Sequence, residues 1–157
     1  MTPRDHSVHD PAGSSVSATS SLRDLRAPML AGAVVGVLQA STPFAFWWLP
    51  PATVYAMGVA VIAAIYIGFC VADGRPRVIA VETVVATTFL LVAATGITGT
   101  TWLLVAGLAG HAVKDYWQHR TQFVSNTRWW PPFCAVVDVV VATIVAIAIF
   151  AGADLHS

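Results

Sequence analysis

Residues 75–120 read RPRVIAVETVVATTFLLVAATGITGTTWLLVAGLAGHAVKDYWQHR. Two apolar stretches, 77–98 and 100–121, meet at Thr98-Gly99-Thr100, a short turn of small polar residues. Arg75 and Arg77 stand before the first stretch, Lys114 and Arg120 close the second, and no basic residue lies between. Each stretch has the ~20 residues needed to cross roughly 30 Å of hydrocarbon. Lys and Arg stay on the cytoplasmic side of a membrane, so the segment reads as a transmembrane hairpin with both ends inside.

Three more stretches of that length lie on either side, at 27–48, 52–72 and 131–152. Pro50-Pro51, the run 73–77 and the segment 125–132 separate them with turn-forming residues. All eight basic residues then fall on one side: Arg4, Arg23 and Arg26 before the first span, Arg75 and Arg77, then Lys114, Arg120 and Arg128. Four or six spans would break this regularity. The expectation is an all-α, polytopic membrane helix bundle of five transmembrane helices, with the N-terminus in and the C-terminus out. Residues 27–152 form the transmembrane domain, multi-pass in the cell inner (plasma) membrane, and 153–157 form a short outer tail. Residues 1–26 are rich in Ser, Thr, Asp, Arg and Pro and read as a disordered cytoplasmic tail without the apolar core of a signal peptide.

Composition agrees with a membrane solvent. The 157 residues are 57% hydrophobic and 10% charged, with a mean hydropathy of +0.72. A soluble domain carries about a quarter charged residues, so that class is excluded. The net charge of zero gives no basis for a nucleic-acid partner. Trp47, Trp48, Tyr55 and Trp102 fall at outer span ends, and Tyr116, Trp117, Trp129 and Trp130 at inner ends, as interfacial belts. Gly32 and Gly36 are a small-xxx-small pair suited to close helix packing. Cys70 and Cys134 lie near cytoplasmic ends, where a disulfide is not expected.

The ionisable residues inside the spans carry the functional reading: Glu82, His111, Lys114, Asp115 and Asp138. Charges at this depth cost a few kcal/mol each and face the bundle interior with partners. At 1.5 Å per residue, Glu82, Asp115, Asp138 and His111 lie about 8 to 13 Å below the cytoplasmic boundary. His111, Asp115 and His119 recur every four residues and share a slowly drifting helix face. With Glu82 and Asp138 they make a mixed nitrogen and oxygen ligand set suited to iron, zinc or manganese. Without a metal, His111, Asp115, Glu82 and Asp138 supply acid–base catalysis, with Asp138 or Glu82 as general acid. The plainer alternative is a structural ion network, Lys114 pairing with Glu82 or Asp138 and His111 with Asp115.

The segment 110–119, with Gly110, His111, Asp115 and His119, is followed by Trp129-Trp130-Pro131-Pro132-Phe133-Cys134 and Asp138. This pattern resembles one found in small bacterial integral membrane proteins, over about a quarter of the chain. The resemblance implies a membrane location and transfers no activity. Asp73-Gly74-Arg75 matches part of the signature of membrane CDP-alcohol phosphotransferases, but the paired downstream acids do not follow.

Three function classes stand against one another. The leading one is a small membrane enzyme, metal-dependent or acid–base and isomerase- or cyclase-like. It acts on an apolar, lipid-soluble small molecule in the cytoplasmic half of the bundle. Arg75, Arg77, Arg120 and Arg128 then hold an anionic headgroup at the rim. The alternatives are a proton- or ion-coupled transporter component and a non-catalytic accessory subunit of a membrane complex. The first partner in every case is the lipid bilayer, with a homo-oligomer or larger membrane complex as the further option.

Overall fold

Helix boundaries follow from prolines that open helices and glycines that close them. The computed structural model describes residues 13–125 and 128–157. Residues 1–12 of the expected tail, and Asn126 and Thr127 of the last loop, lie outside the described residues. Among those described there are six helices and no strand. They are α1 (Gly13–Ala40), α2 (Thr42–Ala45), α3 (Pro51–Asp73), α4 (Pro76–Thr98), α5 (Trp102–Thr121) and α6 (Trp130–Phe150). A proline opens or nearly opens α3, α4 and α6, where its missing N–H has no helical partner to lose. Gly74 ends α3 at φ 75°, and its N–H donates to the Cys70 carbonyl at 3.2 Å. A side chain would be strained in that left-handed conformation.

Three expectations need correction. The stretch 27–48 breaks at Ser41, because Pro43 has no N–H for the Gln39 carbonyl; Thr42 Oγ1 donates to that oxygen instead, at 2.6 Å. Residues 13–26, expected to be disordered, continue α1 as helix. Extending an existing helix costs far less than nucleating one, and Ser, Ala, Leu and Arg tolerate it. The short C-terminal tail docks on α3: Leu155 is buried, and its carbonyl accepts the Ala52 N–H at 2.8 Å, satisfying an otherwise unpaired donor in the first turn of that helix. Tyr55 does not join an interfacial belt; it is buried and donates its hydroxyl to the Ala40 carbonyl at 2.9 Å.

Among the described residues, three helices, α3, α4 and α6, are long and apolar enough to cross a membrane. The other two long helices are less uniformly apolar. The apolar part of α1, residues 27–40, covers only about 21 Å at 1.5 Å per residue. Helix α5 carries Lys114, Asp115 and Arg120. The bundle's outer surface is nonetheless apolar, with Leu30, Val34, Leu38, Val61, Val84, Leu91, Val113, Ile147 and Phe150 all exposed. Exposed apolar surface of this extent needs a non-aqueous neighbour.

The helices form an open ring. Helix α1 packs on α6, α6 on α5, α5 on α4 and α4 on α3, while α3 also touches α5 across the interior. The ring does not close tightly between α1 and α3. Tyr55, Val59, Ile62, Leu104, Leu108, Val137, Val141 and Val145 fill its centre. Both cysteines are free and buried.

Gly32 and Gly36 form the α1–α6 contact. A Cβ on Gly32 would stand 2.5 Å from the Phe133 carbonyl oxygen, and one on Gly36 2.9 Å from Val140 Cβ. Backbone and β-branched groups cannot yield to this. Gly36→Leu is therefore expected to push α1 off α6 and destabilise by about 1–3 kcal/mol, read as a lower unfolding midpoint in detergent. An unchanged midpoint would refute the close contact.

Candidate functional site

The functional side chains come from four walls of the ring. His111 and Asp115 lie one turn apart on α5, Asp138 on α6, Tyr66 on α3 and Glu82 on α4. Gly107, one turn before His111, lets α4 approach, since a Cβ there would sit 3.1 Å from Val92 Cγ1; Gly110 has more room. His111, Asp115, Asp138 and Glu82 are at most 2% exposed.

The imidazole is the hub. His111 Nδ1 lies 2.8 Å from Asp138 Oδ2 and 3.4 Å from Asp115 Oδ2. One ligand atom from each of the three residues lies within 4.8 Å of the others. Tyr66 donates its hydroxyl to Asp115 Oδ1. Phe89 and Tyr66 meet the imidazole edge-on at 4.9 and 5.4 Å, which fixes its plane. The two carboxylates are left under-served: Asp115 Oδ2 and Asp138 Oδ1 are buried without a hydrogen-bond partner.

A second pair lies beside this cluster. Lys114 Nζ is 2.8 Å from Glu82 Oε2, close enough for an ion pair but off the direction of a hydrogen bond. The same ammonium sits over the Tyr66 ring, 3.1 Å from its centroid. A continuous polar path thus runs Glu82, Lys114, Tyr66, Asp115, His111, Asp138 through the centre of the bundle.

The sequence-derived ligand set is therefore trimmed. His111, Asp115 and Asp138 converge. Glu82 is engaged by Lys114 and stands outside the triad. His119 is also outside it, because positions four apart drift by about 40° each step. Two steps from His111 carry His119 off the interior face, where it is half-buried. Tyr66 was not expected. A tyrosine at mid-span needs a hydroxyl partner, and that demand was the signal available to find it.

The four arginines do not gather into an anion site. Arg75 is committed to Asp73 through Nε and Nη2 at 2.6 and 2.7 Å. Asp73 Oδ2 also accepts the Ser125 N–H, and Arg75 Nη2 donates to the Phe123 carbonyl, so this pair clips the α3–α4 turn to the loop after α5. Arg120 donates to its own neighbour Tyr116, while Arg77 and Arg128 are exposed.

Between α1 and α3 lies a cleft of about 300 Å³. Apolar side chains, among them Val35, Met57, Val61, Ile62 and Phe133, make up most of its wall. It extends along α3 from Val54 to Ile65, about 16 Å at 1.5 Å per residue. Val35, Met57 and Val61 on its rim are exposed, so the cleft opens sideways. Among the described residues, Asp138 is the one carboxylate in its wall. Comparison with protein-family models, curated proteins and solved structures gave no match for this chain.

Proposed function

We propose that this chain is a membrane-embedded enzyme acting on a lipid-soluble substrate that enters sideways between α1 and α3. The observation that carries this reading is the double membership of Asp138. It lines a mostly apolar, laterally open cleft and hydrogen-bonds the imidazole of a buried cluster that also holds Asp115 and Tyr66. A long, mostly apolar cleft selects the hydrocarbon part of a ligand, and a carboxylate in its wall fixes where the functional group rests. Asp138 is the reacting contact. His111 exchanges protons with it, and Asp115 with Tyr66 orients the ring.

In this reading the chain crosses the inner membrane five times, N-terminus inside. Helices α1 with α2, α3, α4, α5 and α6 correspond to the five apolar stretches, and the basic residues group on one side of that arrangement. The cluster then sits in the cytoplasmic half, reached from the hydrocarbon.

The test uses purified protein in nanodiscs made from a bacterial lipid extract, followed by mass spectrometry of the lipids. The wild type should consume at least one apolar species and form a product. Asp138→Asn, which keeps shape and removes the acid, should lower that conversion at least 100-fold. Identical lipid profiles for the wild type and the variant would sink the enzymatic reading.

A further inference from the structure

We infer that His111, Asp115 and Asp138 bind a divalent first-row transition ion, which deepens the proposed function by naming what completes the same site. Two carboxylates and one imidazole are buried together, and the nearest cation, Lys114, is taken by Glu82. A neutral imidazole leaves two negative charges, and a protonated one still leaves one. Uncompensated charge at this depth is costly, and a divalent ion balances two carboxylates and a neutral imidazole.

Geometry agrees. Metal–nitrogen and metal–oxygen bonds of about 2.0–2.2 Å, at angles near 90–109°, put donor atoms about 2.8–3.6 Å apart. His111 Nδ1 stands 2.8 Å from Asp138 Oδ2 and 3.4 Å from Asp115 Oδ2. An independent sign of a missing partner is the pair of orphaned oxygens. Asp115 Oδ2 and Asp138 Oδ1 lack hydrogen bonds although both residues are fully buried. The outer partner of a ligating carboxylate is in place too, since Tyr66 donates to Asp115 Oδ1, the oxygen turned away from the imidazole. Asp138 in the cleft wall gives a route in.

One nitrogen and two carboxylate oxygens suit zinc, manganese or iron(II) and disfavour soft, thiolate-seeking ions. Three protein ligands leave positions for a substrate oxygen, as catalytic rather than structural sites do. Cys134 lies in the cleft wall but is not among the grouped ligands.

The experiment is metal analysis of the full chain purified in mild detergent. It is followed by chelation and calorimetric titration with Zn²⁺, Mn²⁺ and, under argon, Fe²⁺. Expected is about one ion per chain for at least one of the three, with a rise in unfolding midpoint on binding. Asp115→Asn and Asp138→Asn should each weaken binding at least 100-fold, and His119→Gln should leave it unchanged. Folded wild-type protein that takes up none of the three ions overturns the inference, as does undiminished binding by Asp138→Asn. The lipid assay separates this from the catalytic reading. Conversion by metal-free protein would remove the ion and keep the enzyme, whereas stoichiometric metal without conversion would keep the ion and remove the enzyme.

Discussion

His111→Leu, in chelator-treated protein, is expected to lower stability by about 3–5 kcal/mol. The side chain is the shared partner of Asp115 and Asp138, at 3.4 and 2.8 Å. Its removal leaves two buried carboxylates facing each other with no donor between them except the Tyr66 hydroxyl. Chelation matters because a bound ion would mask part of the repulsion. An apolar replacement of the whole cluster, His111→Leu with Asp115→Val, Asp138→Val and Tyr66→Phe, should recover most of that loss. It removes every desolvated group at once. Replacing only His111 and Asp115 is not enough, since Asp138 would stay buried and unpaired. The fourfold variant should fold, yet bind no metal and convert no lipid. Thermal unfolding in detergent reads the first effect, and the lipid assay the second. A stable fourfold variant with undiminished conversion would place the chemistry elsewhere.

The helices were legible in the sequence because lipid enforces a simple rule. Backbone groups must pair within a segment, so long apolar runs become helices and prolines and glycines mark their ends. The ends of α3, α4 and α6 fall within a residue or two of the expected stretches 52–72, 77–98 and 131–152. The break at Ser41 was harder to read, because Thr42 hides the cost of Pro43 by donating its own hydroxyl to the stranded carbonyl. The same limit applied to the site. Depth estimates put Glu82, His111, Asp115 and Asp138 into one layer, and three of them, His111, Asp115 and Asp138, converge. Depth does not report rotation about a helix axis, so it could not tell that Asp138 faces the imidazole while Glu82 faces Lys114. Tyr66 escaped notice because a lone aromatic in an apolar run looks like core. Its role comes from the α3–α5 contact across the ring, which no local pattern encodes.

Lys114→Met is the second large effect expected, again about 3–5 kcal/mol. Glu82 is 1% exposed and has Lys114 as its counter-charge, at 2.8 Å. Methionine fills the volume of the lysine stem, so the loss would come from the orphaned carboxylate and not from a cavity. Glu82→Leu in the Lys114→Met background should therefore restore stability to within about 1 kcal/mol of wild type, because it removes the stranded charge. The ammonium also lies 3.1 Å from the Tyr66 ring centroid, and Tyr66 holds Asp115. That chain makes the two ion groups interdependent. A double-mutant cycle between Lys114→Met and Asp115→Asn should show a coupling above about 0.5 kcal/mol, whereas separate clusters would add. The same cycle decides what the pair is for. Coupling in stability alone makes Glu82 and Lys114 a brace for the Tyr66 ring. Coupling that also appears in metal affinity means the ammonium helps set the charge that His111, Asp115 and Asp138 present to the ion. A fully stable Lys114→Met variant would mean that Glu82 is not a buried anion, and the polar path through the bundle would end at Tyr66.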